Sequence, residues 1–182
     1  MDDRYIPGTN MPYTDSNMNA FSYIEPLISA AGGLSLSQVG AITGLEPSTV
    51  QNWVKRGWVS VEGKKYNEAQ VARILIINAT RGCLQLDGIA LLLQRIQGSL
   101  TDTSDDLLGE SELFNYLCRT VRRVTGEPNY DNVHAAAQFV TKKFEPTAER
   151  GRLAEVLTVL AMATISSNIA RDTNFLLTQV LG

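Results

Sequence analysis

The chain is poor in the residues that staple, ligate and catalyse. It holds two cysteines in 182 residues, Cys83 and Cys118. They form no paired metal spacing and cannot build a disulfide framework, which points to a reducing, cytoplasmic setting. A single histidine, His134, limits any histidine-based triad to that residue, and no nucleophile pattern stands near it. There is no glycine-rich phosphate loop, no nucleophile elbow and no metalloprotease pair. No enzymatic activity, cofactor or metal is therefore expected. Long apolar runs are also lacking: the longest, Leu153 to Ile165, is interrupted by Glu155. A membrane span needs ~20 such residues, so none is expected. Met1-Asp2-Asp3-Arg4-Tyr5 is acidic and does not read as a secretory signal.

What is present is an ordinary globular composition, 44% hydrophobic and 19% charged, long enough for one domain or two small ones. The net charge of −3 is unevenly spread. Residues 34–97 carry seven bases against four acids, whereas residues 98–182 carry eight bases against eleven acids. A locally basic face suits phosphate even in an acidic protein, although scatter of this size is common in solvated surfaces.

Residues 1–19, rich in Pro, Gly, Asn and Asp, read as a flexible arm or a loosely packed lead-in, and a short helix near Pro26 follows before Gly32-Gly33. Ser35 and Gln38 have capping-box spacing and open a helix carrying Leu36, Val39 and Ile42, which ends at Thr43-Gly44. Pro47 opens a second helix with Val50, Trp53 and Val54 inward, and Gly57 stops it. Trp58 to Val61 reads as a strand, Glu62-Gly63 as a turn, and Lys64 to Tyr66 as the returning strand. Asn67, with Gln70 three residues on, caps a third helix reaching Arg81-Gly82, and a fourth runs from Leu86 to Gln97. Residues 98–106 form a polar linker. Beyond it lie amphipathic stripes at Leu113–Val124 and Val133–Phe144, then a helix from about Ala148 past Ile165, apolar on most sides. Such a helix is a core element or an oligomer seam.

Helix, glycine turn, helix and tight hairpin are the pattern of a winged helix-turn-helix, in which the second helix enters the major groove of duplex DNA. Ser48, Thr49, Gln51, Asn52, Lys55 and Arg56 would face the bases and phosphates, and Lys64 and Lys65 would sit at the wing tip. Leu36-Ser37-Gln38-Val39-Gly40-Ala41-Ile42-Thr43-Gly44-Leu45, Pro47-Ser48-Thr49-Val50, Lys55-Arg56-Gly57-Trp58-Val59 and Lys64 through Ile74 resemble the DNA-binding domain of the MerR family of bacterial regulators. Gln51 and Asn52 stand where that family usually has an Arg-Tyr pair, the wing is shorter, and a polar linker replaces the long dimerising helix. The resemblance implies a mainly α fold: an arm and short helix at 1–33, a MerR-like winged helix-turn-helix at 34–97, and an all-α domain for dimerisation, effector or partner binding at 107–182. It carries over neither metal sensing nor promoter untwisting.

The function expected is that of a sequence-specific, DNA-binding transcriptional regulator, acting as a homodimer on a palindromic site, with a small-molecule or protein effector at the helical domain. The alternative is a protein-interaction module that kept the scaffold and lost DNA. A third reading, a sensor or enzyme in the helical half, calls for a polar-lined pocket between helices. Several residues have plainer readings. Trp53 and Trp58 flank a helix stop, where aromatics are far more often core. Arg119, Arg122 and Arg123 read as a solvated face, His134 as structural, and Cys118 as a small buried hydrophobe.

Overall fold

The computed structural model describes residues 5–13, 19–61, 63–97 and 107–182. These residues are mainly helical. Two 3-10 turns, Ala20–Tyr23 and Thr147–Glu149, accompany eight α-helices: α1 Glu25–Ala31, α2 Leu36–Thr43, α3 Pro47–Lys55, α4 Glu68–Thr80, α5 Leu86–Gln97, α6 Glu110–Arg123, α7 Tyr130–Thr141 and α8 Arg150–Leu181. The predicted linker at 98–106 lies outside the described residues, apart from which the helices follow the sequence pattern closely.

The local reasons are visible at the helix ends. Ser35 accepts from the Gln38 amide while the Gln38 side chain accepts from the Ser35 amide, and Asn67 and Gln70 repeat the arrangement at the head of α4. Each box satisfies two amides that the first helical turn leaves orphaned. Gly44 ends α2 in the left-handed region at φ +71°, the conformation that lets the chain reverse into α3 within three residues.

α4 is the hub. Val71, Ala72 and Ile74 to Ile77 are all buried, and α4 packs against α2, α5, α6 and α8. One hydrophobic cluster runs from Ile6 through α4 and α6 to Ile165 on α8, so residues on either side of the expected linker share a core. Arg73 of α4 and Glu110 of α6 form an ion pair at 3.3 Å, almost fully withdrawn from solvent. Threonine hydroxyls enter this core without penalty: those of Thr80, Thr120, Thr141, Thr158 and Thr164 each donate to the carbonyl four residues back.

Two expectations are corrected here, and a third is extended. Residues 5–13 are not a loose arm. Ile6 is fully buried, its amide donates to the Met11 carbonyl at 2.8 Å, and the Asn10 amide donates to the Ile42 carbonyl at 2.8 Å. A side chain on Gly8, at φ +73°, would meet the Leu75 carbonyl oxygen at 2.2 Å, so the loop lies directly on the α4 backbone. The wing is absent. Among the described residues there is no β-strand, only the isolated bridges Tyr5–Pro12 and Leu34–Tyr66. Tyr66 exchanges both backbone hydrogen bonds with Leu34 rather than with the Trp58–Val61 stretch; Val59 and Leu34 are both drawn into the core. Finally, α8 continues well past Ile165, and by length and composition Thr147–Leu181 could cross a membrane; 56% of its most apolar window is nevertheless buried within the protein.

Candidate nucleic-acid interface

α3 divides as the sequence pattern requires. Val50 and Trp53 are buried and Val54 is partly so, while Ser48, Gln51, Asn52, Lys55 and Arg56 are exposed and Thr49 is half-buried. α3 carries no acidic residue. Gly57, at φ +76°, turns the chain so that the Arg56 guanidinium lies over the Trp58 ring, 5.3 Å from its centroid. Trp53 is a core residue, and the Arg81 guanidinium stands 5.8 Å from its ring centroid.

Thr49, Asn52 and Arg56 meet across one side of a cleft of about 470 Å³, with Gln85 and Asp87 from the head of α5 opposite. Trp53, Trp58 and Leu86 also line it, so hydrogen-bonding groups, a single cation and a single acid stand there beside apolar surface. Gln51 and Lys55 stand outside the cleft on the exposed surface of the helix.

The expected wing-tip lysines separate. Both are exposed, but the Lys65 ammonium donates to the Ala31 carbonyl, closing the end of α1. Lys65 thus satisfies a helix-end carbonyl within the protein, an interaction that favours cations. The second basic stretch is also engaged. Arg119 lies over Tyr116, Arg122 over Tyr13 and Arg123 over Phe139, with 4.4, 4.5 and 3.5 Å to the ring centroids.

His134 is held on both sides. The Thr158 hydroxyl donates to the Ala154 carbonyl, so its oxygen accepts from Nδ1 at 3.0 Å, and Nε2 accepts from the Gln138 amide at 3.0 Å. Tyr130 stacks on the ring. Among the described residues no group of three His, Cys, Asp or Glu could hold a metal ion. Cys118 is buried, its thiol pushed up to about 12 chiefly by desolvation, and the Tyr13 hydroxyl beside it is raised by the same burial.

Residues 33–117 match a family described as a domain of unknown function, DUF1836. The match covers a little under half of the chain and runs across the expected linker into α6. No curated protein and no solved structure matches. The resemblance to the MerR family is overturned: the family model that matches is a different one, no helix-turn-helix family is matched, and among the described residues no strand of a wing is formed. The quoted stretches share helix punctuation that many helical folds use, and the hairpin that would have made them specific is replaced by the Leu34–Tyr66 bridge.

The sequence reading missed a second group. Asn10, Asn78, Arg81, Ser167 and Arg171 come together from the N-terminal loop, the end of α4 and the middle of α8. No local spacing links positions so far apart in the chain.

Proposed function

We propose that this protein is a DNA-binding transcriptional regulator of the cytoplasm that reads duplex DNA with α3, without a wing. The observation that carries this reading is the outward face of α3. Ser48, Thr49, Gln51, Asn52, Lys55 and Arg56 are accessible together on a short helix that is held to its neighbour by a three-residue glycine turn. Amide and hydroxyl groups suit base edges, and the two cations suit phosphate or guanine. Lys64 adds an exposed cation after α3, while Lys65, bound to Ala31, is left out of the contact set.

A homodimer belongs to the same proposal, with two half-sites ~10 base pairs or a multiple apart. The far end of α8 supports it. Ile169, Phe175, Leu176, Leu177, Val180 and Leu181 are all exposed within three and a half turns. A solitary chain rarely leaves so apolar a stretch in water. The same stretch also favours a second reading, a protein-interaction module, in which α8 and not α3 makes the functional contact.

Selection from random duplex DNA, followed by anisotropy titrations at two salt concentrations, tests the proposal. The expected result is an enriched, roughly palindromic motif whose affinity falls steeply with salt. Asn52→Ala combined with Lys55→Ala should weaken binding to that motif at least tenfold while the far-ultraviolet circular dichroism is unchanged. Absence of any enriched motif, or equal affinity in the double variant, rules out α3 as the reading helix.

A further inference from the structure

Where the N-terminal loop, the ends of α2 and α4 and the middle of α8 meet, they line a half-open surface cavity of about 400 Å³. That volume suits a small metabolite rather than a macromolecular segment. Its walls are polar and unequal in charge. Arg81 and Arg171 both line it, with Asn10 and Asn168, and no carboxylate does. Asp172, outside the lining, makes a long, half-exposed ion pair with Arg171 Nε at 3.7 Å.

The walls are fixed before any ligand arrives. The Asn78 amide donates to the carbonyls of Gly8 at 2.9 Å and Thr43 at 3.2 Å, and its oxygen accepts from Arg81 Nε at 2.9 Å. That hydrogen bond and the Trp53 ring hold the Arg81 guanidinium from two directions and leave its terminal nitrogens available. Gly82 permits a close approach of α8: a side chain there would meet the Ser167 hydroxyl at 2.9 Å. The Ser167 hydroxyl is itself withdrawn from solvent without a hydrogen-bond partner among the described residues. A hydroxyl withdrawn from solvent without a partner is a costly feature of the wall that a nearby acceptor would relieve.

We infer that this cavity binds a small oxyanion-bearing molecule, a phosphate or carboxylate compound held by the Arg81 and Arg171 guanidiniums. Planar guanidinium forks match both oxyanions in two-point contact, and side-chain amides hold the remaining oxygens. The site stands apart from the outward face of α3, and its occupancy does not require DNA.

The test uses the full chain without DNA. Inorganic phosphate and citrate are titrated separately at constant ionic strength, with amide chemical shifts and calorimetry as readouts. At least one of the two should saturate, with shifts concentrated in residues 8–10, 78–82 and 167–171; which anion saturates decides between the phosphate and carboxylate classes. Arg171→Gln lies on the exposed surface of α8, where the fold tolerates it, and should weaken binding at least tenfold. Arg81→Gln should do the same, and Arg171→Gln alone carries the test if loss of the contact with Trp53 disturbs folding. Arg95→Gln, an exposed change outside the cavity, should leave the affinity unaltered. The inference fails if neither anion saturates, or if Arg95→Gln weakens binding as much as Arg171→Gln.

Discussion

Cys118 and Cys83 differ only in where the fold puts them, and that difference sets their chemistry. Cys83 is exposed in the turn after α4; Cys118 is buried on α6 against Tyr13. Thiolate is the reactive form, and burial without a cationic neighbour strong enough to offset it suppresses ionisation. A thiol reagent at pH 8 should therefore modify one cysteine per native chain quickly and the second only after denaturation. The pH dependence has a definite sign. Unfolded, the Cys118 thiol ionises near 9; folded, it is pushed up to about 12. The folded state holds its proton through that window and the unfolded state does not, so stability is complete below pH 9 and declines from there towards 12. Tyr13 acts in the same direction, so the urea midpoint of a Cys118→Ala, Tyr13→Phe variant should fall less between pH 9 and 11 than that of the parent. Gly8 presents the opposite kind of residue-level constraint. With Leu75 oxygen at 2.2 Å from a would-be side chain and φ at +73°, Gly8→Ala should cost about 2 kcal/mol or more, measurable as a lowered urea midpoint.

At the scale of the helices, local chemistry was largely legible. The Ser35–Gln38 and Asn67–Gln70 pairs announced the starts of α2 and α4, and both form reciprocal caps. Because Asn67 anchors the hub helix, Asn67→Ala should destabilise the protein by about 1 kcal/mol, and Asn67→Ser by much less, in denaturant titrations followed by circular dichroism. α3 was likewise readable, since a 3.6-residue period says which residues point inward. The hairpin was not. Two short polar-flanked stretches around Glu62-Gly63 satisfied the local rules for a wing, but strand pairing is decided by which backbone lies alongside. Here Leu34 reaches Tyr66 first. Lys65 follows from that pairing: a residue expected to face phosphate is instead spent on the end of α1.

For the whole molecule, the division of α8 matters most. A helix of 32 residues spans ~48 Å. Its first half, Leu153 to Ile165, is largely buried against α6 and α7, with Glu155 and Val159 facing out; its last turns project Leu176, Val180 and their neighbours into solvent. A second copy would cover that end. Sedimentation equilibrium should then give a dimer, and Leu176→Glu with Val180→Glu should give a monomer whose melting transition is otherwise retained. A monomer in the parent chain would remove the dimer from the proposal and leave α8 as an interaction surface for a different protein.

The sequence by itself determined the helices, their caps and which residues of α3 and α6, Cys118 among them, stand on the apolar stripe, because each depends on neighbours within a few residues. Tertiary structure alone decided the rest. It packed residues 5–13 as a wall where composition suggested a loose arm, paired Leu34 with Tyr66 in place of a wing, split α8 into a buried and an exposed half, and gathered Arg81 and Arg171 into one cavity. The physical reason is the same in each case. Helix periodicity and capping are energies of short range along the chain, whereas pairing, burial and cavity formation depend on which distant segment arrives, and no local pattern encodes that.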